Sequence, residues 1–575
     1  MTGPVTRSAS RPATRGAGTG TRTIRLGTRG SALALVQAGI VERALRERGH
    51  DVVLITLVTE GDIRAPDTAW GEGAFVGALE QALSAGEIDA AVHSAKDVPT
   101  AVQPGLRIAA YLPREDPGDV LVRPAGSPLG GLDDLATGSR VGTDSPRRSA
   151  FLRAIRPDLG VRPLHGNVDT RLRRLDDGDA DVLVLAAAGL RRLGREDRIS
   201  ARLDPARVPP APGQGALAVQ ARDDVALLSV LAELDHPPTR SAVEAERALL
   251  AAAGGGCRAP LGALATVRGD HFELDAGFAT ADGSIAVFAH ADDDAQRTSE
   301  LVDRVLAGLA EEATRRALEA PRPRVISTRP ADRWAAGALA LVDRGFAPLN
   351  VPAIETAIVS DAGLGEAAAA IERFDWIVVT SATGVRALAG AARAAGGSLE
   401  TLPGGLRWAA VGEATARALE REGIREVDLP SRQAADALAE TLPVVTGARV
   451  LLALGDMAGD RLERRLAARG ARVTQVTAYR TIEAPPSSLP ALVAALAERP
   501  AAWIASSPSS VRGLLTLARA VDATTALRRV PLVAIGPTTA QAAADLGLRV
   551  AAIAPEPDPG SVADTVAALV GLEVP

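Results

Sequence analysis

From residue 24 onward, short apolar strands alternate with helical patterns, and no other feature constrains this chain's fold as tightly. Strand, helix and strand in succession read as parallel α/β layers, because each crossover helix must cover the sheet it leaves. Residues 24–26 form a strand ahead of a helix over 32–48. A strand at 52–58, a helix at 75–85 and a strand at 90–93 follow, the last ending in the loop Lys96-Asp97. Residues 139–142 open a second series that runs through 181–185. Near residue 230 the pattern changes to a helix at 240–253, the loop Gly254-Gly255-Gly256-Cys257 and three short strands near 264–267, 272–279 and 285–289. Asp282-Gly283 supplies a hairpin turn, and a helix near 299–319 closes this smaller α+β unit. In Ala320-Pro321-Arg322-Pro323-Arg324 two prolines interrupt the helix before a fresh strand at 325–327, which marks a linker.

The second half contains a diverged repeat. Trp376-Ile377-Val378-Val379-Thr380-Ser381 resembles Trp503-Ile504-Ala505-Ser506-Ser507, and Val411-Gly412 through Thr415-Ala416 resembles Ile535-Gly536 through Thr539-Ala540. The copies are too far apart for a solenoid and predict two similar α/β lobes, with a ligand cleft beyond the strand carboxyl ends. The expected organisation is a disordered tail at 1–23, a first lobe at 24–112 and 210–232, and a second lobe at 113–209. An α+β domain at 233–319 and a linker at 320–324 follow, then a lobe at 325–358 and 487–575 facing one at 359–486.

Composition excludes several classes. A 575-residue chain with 47% apolar and 23% charged residues has the makeup of folded globular domains. Its net charge of −6 argues against nucleic acid as a partner, and no apolar run is long enough for a membrane helix. The single cysteine rules out an internal disulfide framework and fits a reducing, cytoplasmic compartment, and a monomer is expected. The six histidines are scattered, and no metal site is expected.

The chemistry-bearing residues of the first half lie where strands give way to helices. Arg29, Arg147, Arg148, Arg171 and Arg192 all sit near such junctions, where a guanidinium grips a carboxylate at two points and a helix terminus adds N–H donors. Solvated helix surface is the alternative for each. Asp97, just past a strand and beside Lys96, suits cation stabilisation or proton transfer, or else a helix cap. Cys257, between three glycines and Arg258, suits a nucleophilic thiolate, although lone cysteines are often small core residues.

These segments resemble porphobilinogen deaminase. The resemblance is carried by Thr28-Arg29-Gly30-Ser31, His93-Ser94-Ala95-Lys96-Asp97, Gly142-Thr143-Asp144-Ser145-Pro146-Arg147-Arg148 and Gly166-Asn167 through Arg171. It continues in Ala188-Gly189-Leu190 through Arg192, Pro212-Gly213-Gln214-Gly215 and Gly255-Gly256-Cys257. It implies a two-lobed, periplasmic-binding-protein-like α/β deaminase with a small α+β cysteine domain. In such enzymes the cysteine holds a dipyrromethane by a thioether, porphobilinogen loses ammonia to give an azafulvene cation, and four units are added to yield hydroxymethylbilane. The resemblance makes Asp97 catalytic and Cys257 the attachment point. Lys96, Ser145, Arg147, Arg148 and Arg192 would hold the dipyrromethane, and Arg29, Ser31, His165, Arg171 and Gln214 the substrate. Three positions depart from the family pattern: Glu72 within Gly71-Glu72-Gly73, Asp144 where serine is usual, and His165 where arginine is usual.

The second half shows no acid, base or metal cluster but places hydroxyls at strand–helix junctions, as helix caps or carboxylate sites. It resembles uroporphyrinogen-III synthase through Thr328-Arg329-Pro330, Val379-Thr380-Ser381, Ala478-Tyr479-Arg480-Thr481, Ser506-Ser507-Pro508-Ser509 and Ile535-Gly536-Pro537-Thr538-Thr539. This implies a two-lobed α/β domain pair that closes hydroxymethylbilane with inversion of the terminal ring. Tyr479 would assist loss of the terminal hydroxyl, and Thr380, Ser381, Thr415, Ser507, Thr538 and Thr539 would bind substrate. The competing reading is a tetrapyrrole-sensing or anion-binding two-lobed module with degraded catalytic activity.

Overall fold

Runs in which every side chain is buried, such as Asp119–Val122, Trp376–Val379 and Ala502–Ala505, are central strands of sheets covered on both faces. The computed structural model describes residues 23–58, 76–101, 103–127, 130–255, 259–294, 298–359, 362–399, 405–424, 426–430 and 435–572. Residues 1–22 of the expected tail at 1–23, Gly71-Glu72-Gly73 and Cys257 lie outside them. The chain forms two compact units, Met1–Val305 and Leu306–Pro575, and the division falls within the helix Thr298–Glu319.

The first unit holds two five-stranded mixed sheets. One runs Val52–Leu57, Ile24–Arg29, Ala90–Ser94, Leu217–Arg222, Leu106–Tyr111, with Leu217–Arg222 antiparallel to both neighbours. The other runs Gly160–Arg162, Arg140–Gly142, Val182–Ala186, Asp119–Val122, Ile199–Arg202, with Asp119–Val122 antiparallel to both neighbours. The chain leaves the first sheet after Leu106–Tyr111 and returns only at Leu217–Arg222, so two lobes are joined by two crossings. Each lobe has its own core, around Leu26, Val41 and Val219 in one and Leu121, Phe151 and Val184 in the other. A three-stranded antiparallel meander follows: Leu261–Arg268, His271–Ala279 and Ala286–Asp294. Its Gly262 lies so close to the returning crossing that a Cβ there would sit 2.4 Å from the Pro209 carbonyl oxygen.

In the second unit, Ala347–Asn350, Arg324–Ser327, Ala502–Ala505, Leu532–Ala534 and Val550–Ile553 form an all-parallel sheet in that order. Ile354–Ile358, Arg472–Glu483, Arg449–Gly455, Trp376–Val379, Arg407–Ala410 and Val427–Asp428 form the other, with Ile354–Ile358 its antiparallel edge. Trp376 and Trp503, the leading residues of the repeat, are buried on equivalent strands of the two sheets. One boundary needs correction. Residues 354–358 were expected in the lobe at 325–358, but they pair with the long strand Arg472–Glu483 of the other sheet, so the chain crosses earlier.

Candidate functional site

In the first unit, Asp97 ends a single helical turn, Ala95–Asp97, that follows the strand Ala90–Ser94. Among the described residues it makes no hydrogen bond or ion pair, so its carboxylate is available to a ligand. Its neighbour Lys96 donates from Nζ to Gln214 Oε1 at 3.2 Å. Burial pushes the Lys96 ammonium down to about 8, against the opposing pull of Asp97. Gln214 stands between Gly213 and Gly215, both in left-handed backbone conformations. At Gly215 a Cβ would meet the Glu115 carbonyl oxygen at 2.3 Å, so only glycine fits. Gln214 is 1% exposed and donates from Nε2 to the Pro117 carbonyl at 2.7 Å and to Asp119 Oδ1 at 2.8 Å.

Asp119 is the centre of this network. Arg147 Nη2 and Arg148 Nη2 donate to its two oxygens at 2.7 and 2.6 Å. Arg147 also donates to the Pro209 carbonyl, and Arg148 to the Val184 carbonyl at 3.0 Å. Burial disfavours the charged carboxyl, yet the two guanidinium groups hold Asp119 well below the usual carboxylate range. Arg147 and Arg148, expected to be open carboxylate grips, are therefore buried in an internal ion triad, with only their Nε atoms lacking an acceptor. Sequence reasoning missed Asp119, although an acid opening the buried run Asp119–Val122 requires a partner and could have exposed it.

Ser31 caps the helix Ala32–Glu47, Ser145 caps Pro146–Ile155 and Asn167 caps Val168–Asp176, each accepting a backbone N–H from the first turn. Arg29 ends the strand Ile24–Arg29 beside Ser31. Arg171 donates to Asp144 Oδ2 at 2.8 Å and to the Gly166 carbonyl at 2.7 Å, and His165 Nδ1 lies 2.9 Å from Asp144 Oδ1. Two of the three positions that depart from the family pattern, Asp144 and His165, thus face one another. Arg192 donates to the Gly215 carbonyl at 2.6 Å, and burial lowers its pKa. Glu246, also unforeseen, is fully buried. It takes both Arg114 donors at 2.6 and 2.9 Å, the Gly213 N–H at 2.7 Å and the Ala265 N–H at 2.8 Å, tying the return crossing to the meander.

In the second unit, the anticipated residues fall at the carboxyl ends of parallel strands. Thr380 follows the strand Trp376–Val379, and Ser381 caps Ala382–Ala394, accepting from Gly384 N–H at 3.1 Å. The Ser381 hydroxyl donates to the Tyr479 hydroxyl at 3.0 Å. Tyr479 lies against Gly455, where a Cβ would approach its ring at 2.6 Å. Thr415 is buried in the first turn of Glu413–Arg421. Ser507 forms a reciprocal capping box with Ser510. In the first turn of Pro537–Asp545, Thr538 is exposed and Thr539 buried. The structure also joins the lobes through unforeseen contacts: Arg386 donates to Asp332 at 2.8 Å, and Arg333 donates to the Thr383 hydroxyl. Among the described residues, no group of His, Cys, Asp and Glu could hold a metal, and no helix is long and apolar enough to cross a membrane.

Comparisons with known proteins divide along the same line. Residues 24–229 match the family described as porphobilinogen deaminase, dipyromethane cofactor binding domain, and residues 241–311 match the porphobilinogen deaminase C-terminal domain. Residues 336–564 match uroporphyrinogen-III synthase HemD. Porphobilinogen deaminase of Mycobacterium bovis is 53% identical over 246 residues, covering 42% of this chain and 79% of the relative. The Mycobacteroides abscessus enzyme is 52% identical over the same lengths. Uroporphyrinogen III synthase of Thermus thermophilus, a solved structure, is 25% identical with a TM-score of 0.33, covering 43% of this chain and 99% of its own.

Proposed function

We propose, from the premise that this chain belongs to the porphobilinogen deaminase family and continues into a uroporphyrinogen-III synthase domain, that it performs two consecutive steps of tetrapyrrole synthesis. The first unit joins four porphobilinogen molecules, with loss of ammonia, into hydroxymethylbilane. The second closes that product to uroporphyrinogen III. The observation that carries this reading is the presence of the deaminase and synthase domains, in reaction order, on one chain. Incubation with porphobilinogen alone should accumulate the type III isomer. Accumulation of type I would discard the second activity, and unconsumed porphobilinogen would discard the first.

The dipyrromethane-binding domain carries donors that suit its ligand. The buried Nε atoms of Arg147 and Arg148 lack acceptors among the described residues, and a carboxylate-rich group would supply them. When attached at Cys257, that group supplies the nucleophilic pyrrole carbon. Lys96, Ser145, Arg147, Arg148 and Arg192 would bind its carboxylates, with the Asp119 triad fixing the two adjacent guanidinium groups before ligand arrives. Arg29, Ser31, Arg171 and His165 would receive the acetate and propionate of each incoming porphobilinogen. Gln214 has its amide committed on both sides, so it acts by positioning Lys96. Asp97, whose carboxylate makes no hydrogen bond or ion pair among the described residues, stabilises the positive charge left as ammonia departs and accepts the pyrrole proton afterwards.

In the synthase cleft, Tyr479 accepts a hydrogen bond from Ser381, which leaves its phenol proton for the departing terminal hydroxyl. Thr380, Thr415, Ser507, Thr538 and Thr539 would fix the chain's carboxylates at the helix starts, so that closure of one geometry outruns the other. We also expect a cytoplasmic monomer acting on small-molecule substrates, which size-exclusion chromatography and fractionation would check.

A further inference from the structure

Part-buried arginines of the second unit are almost all answered by an acceptor. Arg322 donates to the Val342 carbonyl at 2.7 Å, Arg324 to the Leu318 carbonyl at 2.9 Å, Arg344 to Asp564 at 2.7 Å and Arg465 to Glu440 at 2.8 Å, while Arg512 pairs with Glu483. Arg329 differs. Among the described residues its side chain makes no hydrogen bond or ion pair, although it is no more than partly exposed.

Its position explains what it could receive. Arg329 follows the strand Arg324–Ser327 at the carboxyl edge of the parallel sheet. The preceding Thr328 donates from Oγ1 to the Ile504 carbonyl at 2.8 Å and lies 3.3 Å from the Ser506 hydroxyl, beside the start of Pro508–Ala520. Four residues later, Arg333 reaches Thr383 in the first turn of Ala382–Ala394 in the facing lobe, and Arg386 of that helix returns to Asp332. Arg329 therefore sits on the segment between Thr328, beside Ser506, and Arg333, which reaches Thr383; Arg333 and Arg386 both pair with Asp332, whereas Arg329 makes no ion pair among the described residues. Burial and then the nearby Arg333 charge lower its pKa, but a guanidinium keeps its proton, so the unbalanced charge calls for an anion.

We propose that Arg329 is a substrate-binding residue of the second unit, gripping an acetate or propionate carboxylate of the linear tetrapyrrole between the two lobes. This rests on reading residues 336–564 as a working synthase. Two-point hydrogen bonding would hold that ring relative to Tyr479 without taking part in bond making.

The test uses the full chain supplied with hydroxymethylbilane. R329M should raise KM about 10-fold to 100-fold, the loss expected for a charge-assisted contact, with kcat within a few-fold of the parent. R329K, which keeps the charge, should recover most of the affinity, and the share of type I product should rise in R329M as bilane escapes. An unchanged KM in R329M overturns the proposal, as does a kcat loss that R329K fails to repair. A second readout separates this inference from the reading beneath it: titration with uroporphyrin I, a fluorescent polycarboxylate. Weaker uroporphyrin binding in R329M, in a chain that yields no type III product, would sink the synthase reading and leave the carboxylate site standing. Equal binding in both chains would overturn the carboxylate site. Should R329M fail to fold, R329Q carries the same comparison.

Discussion

The two units handle carboxylate-rich ligands with opposite electrostatics. In the first, guanidinium groups are buried and internally paired around acids, with Arg147 and Arg148 on Asp119 and Arg171 on Asp144. In the second, the candidate site is made of neutral hydroxyls and helix starts, with Arg329 a part-buried cation that makes no ion pair among the described residues. The difference follows the chemistry. A site that generates a cation beside a growing polyanion needs fixed charges and a carboxylate such as Asp97 that no hydrogen bond ties down among the described residues. A site that selects one ring closure over another needs shape and many weak, directional contacts. Pre-paired arginines also solve a folding problem, because a buried guanidinium without a partner costs several kcal/mol.

The contrast can be broken at several points. The largest effect is expected from Cys257→Ser, which should abolish porphobilinogen consumption and the two-pyrrole mass adduct while leaving cyclisation of added hydroxymethylbilane intact. Loss of both activities would deny that the sites are separable. Asp97→Asn should cut porphobilinogen turnover about 10²-fold to 10⁴-fold with the adduct retained, as quench-flow assays would show. Asp119→Asn leaves two buried guanidinium groups short of a counter-charge and should lower stability by about 3–5 kcal/mol in denaturant titrations. A variant as stable as the parent would show that the triad does not organise the first site.

Tyr479→Phe in the second unit should slow cyclisation only about 10-fold, in keeping with one neutral hydrogen bond. A loss approaching that of Asp97→Asn would erase the distinction between charged and neutral sites. The smallest effect concerns pH. With the Lys96 pKa lowered to about 8, its positive charge is present below that value and lost as pH rises through it. The grip on the dipyrromethane should therefore weaken and porphobilinogen turnover fall by a few-fold above about pH 8, whereas Lys96→Arg, which keeps its charge, should flatten the decline. Cyclisation of added bilane should lack this feature.

Much of the first site was legible because its signals are local. The loop Lys96-Asp97 after a strand and the arginines at strand–helix junctions each depend on neighbours within a few residues. Gly213 and Gly215 were read as part of a motif, although the reason for the latter, a carbonyl 2.3 Å from any Cβ, comes from Glu115 in the crossing segment. What arginines bind was not legible. Arg147 and Arg148 look alike in sequence whether they face solvent, ligand or a buried acid, and their partner Asp119 lies on another strand. Glu246 was hidden for the same reason, since its partners Arg114, Gly213 and Ala265 come from three distant segments. The strand Ile354–Ile358 was misassigned because a short, half-buried strand suits the edge of either sheet, and only pairing with Arg472–Glu483 decides between them.

Strand–helix alternation, the Trp376 and Trp503 repeat and the capping hydroxyls were determined by the sequence alone, since periodicity and backbone capping act over one or two turns of chain. Which acid neutralises which arginine, and that Arg329 makes no ion pair among the described residues, was decided only by the tertiary structure. Coulombic pairing and desolvation depend on distance in space, and residues far apart along the chain reach that distance only when the lobes assemble.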